Sequence, residues 1–146
     1  MNELTKIDVN DVRAKYLSNP SFVFRRGIPN LFELSMAIAE GAFYLGCSKV
    51  EIEVFKDWQI VKGNHDWICE NPVKSEIFFF DHLVPFPELD INSAHWEFYL
   101  SVYCVCILTA KDEIITVIKE NEYIALEINQ ALESVPIGWR AVAFKL

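Results

Sequence analysis

Glycine and long uncharged apolar runs are scarce in this sequence. Only five of the 146 residues are glycine, and they are spread over the whole chain, so no glycine-rich loop is present to cradle a phosphate. No run reaches the roughly 18 charge-free apolar residues that a membrane helix needs. The first twelve residues are polar and acidic, unlike a signal peptide. We therefore expect a soluble, cytoplasmic protein that makes no membrane contact.

The spacing typical of metal ligands is also missing. Cys104 and Cys106 form a C-x-C pair and no second pair follows, so no zinc site is predicted and the four cysteines are expected to be free, buried thiols. His65, His82 and His95 either converge on a metal or acid–base site or lie in loops as ordinary polar residues, and the loop interpretation is favoured. We expect no metal and no cofactor.

Basic residues are fewer than acidic residues, 13 against 21. The formal net charge is −8, and residues 76–133 carry two basic and eleven acidic groups. Such a stretch repels nucleic-acid phosphate and speeds the encounter with a basic protein. The alternative is a solvated acidic surface that only confers solubility.

Apolar residues make up 52% of the chain, which is enough for one core and a single domain over residues 1–146. Periodicity predicts helices over 8–18, 31–46 and 93–108, strands over 50–55, 58–62, 67–69, 77–80, 113–119, 123–128 and 139–146, and a helical turn over 129–134. For residues 93–108 a buried strand fits the period equally well, and length favours the helix. This order predicts an α+β fold, a two-layer sandwich whose mostly antiparallel or mixed sheet carries helices on one face.

The order and spacing of these elements resemble the ATP-binding domain of the GHKL superfamily, most closely its gyrase-type ATPases. The helix over residues 31–46 is similar to the helix that carries the superfamily's E-x-x-x-N motif. The hairpin over 49–62 follows it in the same way, and residues 63–68 stand where the superfamily has D-x-G-x-G. The resemblance covers most of the chain and implies a GHKL-like scaffold.

The resemblance also implies that the nucleotide chemistry is lost. In the superfamily a glutamate polarises the attacking water and an asparagine four residues later ligates magnesium. Glu33 matches the glutamate, but the second position is Ala37, which has no oxygen to offer a cation. Asn64, or Asp66 in a shifted register, takes the place of the aspartate that reads adenine. The phosphate-binding segment, residues 91–96, contains no glycine. Glu33, Asn64 and Asp66 are therefore expected to mark a vestigial nucleotide pocket.

These observations favour a non-catalytic protein-binding domain, such as an acidic immunity or antitoxin protein that inhibits a basic protein. Tryptophans beside acidic residues suit an interface, and they also suit a core. The candidate partner-binding residues are Asp57, Trp58, Trp67, Asp81, Glu88 and Asp90. Two alternatives stay open. One is a divergent nucleotide-binding, ATPase-like domain that uses Glu33, and the other is a homodimer or structural subunit built on an exposed sheet edge or aromatic patch.

Overall fold

The computed structural model describes residues 9–69, 76–87, 93–120 and 125–146. In chain order its elements are α1 (Val9–Ser18), a 3-10 turn (Pro20–Phe22), α2 (Leu31–Tyr44), β1 (Val50–Phe55), β2 (Trp58–Gly63), α3 (Phe78–Asp81), α4 (Glu97–Tyr103), β3 (Cys106–Lys111), β4 (Ile114–Lys119), α5 (Ala125–Glu133) and β5 (Arg140–Lys145). Helices pack around one antiparallel sheet, so the α+β prediction is confirmed.

The sheet has five strands in the order β1-β2-β5-β3-β4. Two hairpins, β1–β2 and β3–β4, are joined by the last strand, which pairs antiparallel with β2 on one side and β3 on the other. Among the described strands, β1 and β4 therefore form the two edges. The final strand of the chain holds the centre of the sheet.

Helices cover both faces of the sheet, which corrects the prediction of helices on one face. Along β5, Val142 and Phe144 join the cluster that includes the buried residues of α2 and α4. Ala141 and Ala143 point the other way and join the cluster that contains Ile128 of α5. Successive strand residues face opposite sides, so the described elements form three layers rather than two.

Helix α2 has clear start and stop signals. Asn30 Oδ1 accepts a hydrogen bond of 2.9 Å from the backbone N–H of Glu33, which caps the first turn. Just past the helix, Gly46 has φ of 116°, and a Cβ there would lie 2.9 Å from the His65 ring. Both the backbone angle and the close ring require glycine at this position.

Four segments differ from the predicted secondary structure. Residues 78–80 belong to helix α3 rather than a strand, with Ile77 in the turn before it. Residues 67–69 form an irregular bend, and residues 125–128 open helix α5 rather than end a strand. Residues 93–108 contain the short helix α4 and then β3 instead of one long helix. The last difference has a simple cause, because β3 is buried on both faces and so shows no alternation of polar and apolar residues.

Candidate protein-binding groove

The outer face of α2 exposes large apolar side chains. Leu34, Ile38 and Ala42 are buried against the sheet, as expected for a packed helix. On the far side, Phe32 is 67% exposed and Phe43 is 51% exposed. The first and last turns of the helix therefore present bulky apolar side chains to solvent. Exposed apolar patches often mark interaction sites.

These side chains border a groove of about 750 Å³. One wall is α2 itself, and the other is made by the segment after the 3-10 turn together with the residue that precedes α4. The lining residues are Val23, Arg25, Phe32, Glu33, Met36, Ala37, Ala39, Glu40, Phe43 and Trp96. The groove is therefore mostly apolar, with three charged groups.

Aromatic contacts hold the second wall in place. The Trp96 ring makes edge-to-face contacts with Phe24 at 6.3 Å and with Tyr99 at 5.1 Å between ring centroids. Phe24 is buried and also contacts Tyr103 at 4.9 Å, which anchors the segment that carries Val23 into the core. Edge-to-face aromatic pairs stabilise the packing beyond the area that they bury, so these contacts hold the wall beside α2 without a bound partner.

The charged groups of the groove are available to a ligand. Glu33 and Glu40 lie on α2, and Arg25 lies on the opposite wall. Within the described ranges no ion pair involves any of the three. The groove thus combines an apolar floor with charges that are not already neutralised by a neighbour.

The predicted nucleotide-pocket residues do not come together. Glu33 and Ala37 both line the groove on the outer face of α2. Asn64 lies beyond the other end of the helix, where its Oδ1 accepts hydrogen bonds from the backbone N–H groups of Ser48 and Lys49. About 16 Å of helix axis separates Glu33 from the last residue of α2. Glu33 and Asn64 therefore share no pocket.

Asp66, the third of these residues, belongs to a partly buried ion cluster. Its two carboxylate oxygens accept a bidentate pair from Arg140, with Nε at 2.8 Å and Nη2 at 2.9 Å, and Lys111 Nζ lies at 3.1 Å. Arg140 also contacts Glu76, which accepts a hydrogen bond from Thr109. This cluster ties the bend after β2 to β3 and β5, so its geometry serves the fold.

The pKa shifts of Asp66 and Cys69 make both groups unreactive at neutral pH. Burial alone raises the pKa of Asp66, but hydrogen bonds from Arg140 and the Cys69 backbone, with the charge of Arg140, hold it well below its usual range. The pKa of the Cys69 thiol is raised by burial and by the charge of Asp66. A thiol with a raised pKa is a poor nucleophile at neutral pH, and a carboxylate locked by two cations is a poor base.

Trp58 and Trp67 were candidate partner anchors, and the structure corrects both. Each side chain is fully buried. Trp67 donates its Nε1 hydrogen bond to the buried carboxylate of Glu97 at 3.1 Å, and Trp58 packs in the cluster under α5. The alternative stated above, that these indoles fill the core, is the correct one.

The acidic candidates are spread over separate elements. Asp57 sits in the turn between β1 and β2, 3.7 Å from Lys145. Asp81 ends α3 and lies 3.7 Å from Arg13 of α1. Glu88 and Asp90 lie outside the described residues. Asp57 and Asp81 are not lining residues of the groove.

The histidines take ordinary packing positions. His95 is stacked between the rings of Phe79 and Phe86, at 4.1 and 4.3 Å, and His82 is stacked on Phe78.

No metal site is formed within the described part of the chain, because no three His, Cys, Asp or Glu side chains lie close enough together to hold an ion. None of the four cysteines forms a disulfide bond, and burial raises the pKa of Cys104 to about 12.

The sequence did contain a signal for the groove. In the predicted helix over residues 31–46, the apolar residues Phe32, Met36 and Phe43 lie beside the face that carries Leu34, Ile38 and Ala42. A helix that is apolar around most of its circumference needs cover on more than one side. Because a sheet covers only one side, the remaining apolar face points to a second contact.

Within the ranges described, no helix has the length and apolar character needed to cross a membrane. No protein-family model, curated protein or solved structure matches this chain. The resemblance to the GHKL superfamily thus stays a prediction.

Proposed function

We propose that this chain is a protein-binding domain and that the groove along α2 holds an apolar segment of its partner. The observation that carries the proposal is the exposure of Phe32, Met36 and Phe43 along a pre-formed groove. Aromatic residues and methionine are enriched at the centres of protein interfaces, and charges are placed at their rims. The groove likewise has aromatic residues and methionine along its length and charged residues at its sides.

The charge of the chain favours a basic partner. At a net charge of −8 the domain attracts a basic protein over distances of about a Debye length, which raises the rate of encounter. Burial of the apolar stripe then supplies affinity. This division of roles suits an acidic inhibitor of a basic protein, as in the immunity and antitoxin class.

For the nucleotide-binding alternative, the residues expected to form the pocket do not come together. Glu33 and Asn64 stand at opposite ends of α2, and Asp66 is occupied by Arg140. The groove also offers apolar rings where a triphosphate needs N–H donors and a cation. We therefore do not propose ATP binding.

Site-specific photo-crosslinking tests the protein-binding proposal. A photoreactive phenylalanine analogue is placed at position 36 or 43 of the full chain, in cells of the native source, and at position 137 as a control. Ile137 is a suitable control because it is 80% exposed in the turn before β5 and does not line the groove. We expect one discrete protein to be captured from positions 36 and 43 and not from position 137. Equal capture from all three positions, or none from the groove, contradicts the proposal.

Self-association is a second candidate, favoured by a different observation. Strand β4 is an edge of the sheet among the described strands, and Ile114 and Val117 expose apolar side chains along it. Edges of this kind pair with other strands unless they are protected. Sedimentation equilibrium of the wild type and of Val117→Lys tests it. A dimer that the substitution dissociates supports edge pairing, and a wild type that is monomeric at all concentrations contradicts it.

A further inference from the structure

The apolar stripe of α2 has the spacing of a coiled-coil seam. Phe32, Met36, Ala39 and Phe43 follow one another at intervals of four, three and four residues. Those intervals are the alternation of d and a positions in a heptad, and all four residues line the groove. The stripe is therefore suited to receive the side chains of another helix.

The two glutamates of the groove occupy equivalent positions beside this seam. Glu33 and Glu40 each follow a d position, which makes both of them e positions of successive heptads. Two turns of helix, roughly 10 Å, separate them along one flank. Across the groove stands Arg25. In coiled coils, charges at such flanking positions choose the partner helix and its orientation.

A second copy of this chain does not satisfy these charges. Two α2 helices packed antiparallel about a two-fold axis place Glu33 and Glu40 of one copy beside the same residues of the other. Packed parallel, the flanks meet g positions, and here those are Ser35 and Ala42, which are buried against the sheet. Like charges across an interface disfavour association. The charge pattern of the groove thus favours a different protein.

We infer that the groove binds one amphipathic helix of a partner protein, with apolar residues at heptad spacing and with lysine or arginine along the flank that faces Glu33 and Glu40. The seam from Phe32 to Phe43 spans about 16 Å, which is three turns of helix. This inference rests on the proposed function, because it names the chemistry of the partner at the same groove.

Binding of designed peptides tests the inference. The probes are three 21-residue peptides with leucine at every a and d position. The first has lysine at e and g, the second has glutamate there, and the third is the lysine peptide with two central prolines that prevent a helix. Dissociation constants are measured by fluorescence anisotropy at low and moderate salt. We expect the lysine peptide to bind the wild type at least about tenfold more tightly than either of the others.

Charge reversal in the protein makes the test specific. In the double variant Glu33→Lys/Glu40→Lys we expect the preference to reverse, so that the glutamate peptide binds more tightly than the lysine peptide. Glu120→Lys/Glu133→Lys is the matched control, since both residues are exposed, lie outside the groove and change the net charge equally. The control is expected to keep the wild-type order. Circular dichroism checks that each variant is folded.

Each outcome decides a defined question. Equal binding of lysine and glutamate peptides, equal binding of the proline peptide, or the same reversal in the control variant overturns the inference. If the groove is photo-crosslinked to a protein but shows no peptide preference, the helix inference fails and the protein-binding proposal stands. If neither crosslink nor peptide binding is found, both fail.

Discussion

Arg140 is a buried residue that connects distant parts of the chain. It joins the central strand β5 to Asp66, 74 residues earlier, and to Glu76. Its side chain is 5% exposed, so its charge depends on these two carboxylates for compensation. The carboxylates depend equally on Arg140, since an unpaired charge in a buried site is costly.

Substitution of Arg140 by methionine keeps most of the volume and removes the charge. We expect the free energy of unfolding to fall by about 3 kcal/mol, because Asp66 and Glu76 lose their main partner. Lys62→Met is the control, since Lys62 pairs with Glu51 and Glu53 at an exposed site, and its loss is expected to cost less than about 1 kcal/mol. Urea unfolding measures both. Equal losses would show that the cluster holds no special place in the fold.

Glu97 is a buried acid whose charged form is disfavoured by its surroundings. Burial raises its pKa, against the opposing hydrogen bonds from its own backbone and from Trp67. A raised folded-state pKa gives stability that is present below the unfolded value of about 4.3 and is lost as pH rises through the folded value. Asp66 has a lowered pKa and acts in the opposite sense, so its contribution is lost as pH falls.

Glu97→Gln removes the charge and keeps an oxygen for the Trp67 N–H. We expect the variant to be more stable than the wild type at pH 7, by about 1 kcal/mol, and the difference to shrink as pH falls toward 4. Urea unfolding at a series of pH values measures it. A difference that is constant with pH, or a variant less stable at pH 7, contradicts this assignment.

At the scale of elements, the β3–β4 hairpin turns through two residues with unfavourable backbone angles. Asp112 has φ of 50° and Glu113 has φ of 67°. Two-residue turns of this kind favour asparagine or aspartate followed by glycine. Asp112 is held by a hydrogen bond of 2.8 Å, which its Oδ1 accepts from the Gly138 N–H. Among the described contacts, the Glu113 side chain makes none that would compensate for its positive φ.

Glu113→Gly is therefore expected to stabilise the hairpin by about 1 kcal/mol, the usual cost of a left-handed angle at a residue with a Cβ. Thermal and urea unfolding both measure the change. Lys56→Gly is a useful companion, because Lys56 has φ of 52° in the β1–β2 turn. A loss of stability in Glu113→Gly would show that the glutamate side chain contributes more than the backbone strain costs.

Elements with a local signal could be predicted from the sequence. The capped helix α2, the alternating strand β1 and the closing strand β5 lie within a few residues of their predicted bounds. The predicted secondary structure was wrong where a strand is buried on both faces, as in β3, because such a strand lacks the alternation of polar and apolar residues. Helix α5 was recoverable, since Ile128, Leu132 and Val135 recur at helical spacing and are buried together.

The candidate site was less predictable, because one of its walls depends on contacts that are distant in sequence. Trp96 lines the groove beside α2 and packs against Phe24, which is 72 residues earlier in the sequence. Outside the groove, the partner of Asp66 is 74 residues away, and no local pattern marks it. The apolar residues of the α2 seam are visible in the sequence, but helical periodicity alone does not separate a second contact face from the core face.

At the scale of the whole molecule, the packing of the sheet explains why α2 is left with an apolar outer face. One face of the sheet is covered by α2 and α4 and the other by α5, so α2 has no further layer above it among the described elements. The chain as a whole carries an acidic surface with a net charge of −8. Our proposal that the groove receives a basic, apolar helix rests on this combination of an apolar groove, flanking glutamates and an acidic domain.

The affinity of the photo-crosslinked partner for groove variants tests this account most directly. We predict that Met36→Glu weakens the dissociation constant at least about tenfold, as for a residue near the centre of an interface. Ile137→Glu, an equally drastic change at an exposed apolar residue in the turn before β5, is predicted to leave the affinity within about twofold of the wild type. An unchanged affinity in Met36→Glu, or an equal loss in both variants, would contradict the claim that the groove along α2 is the binding site.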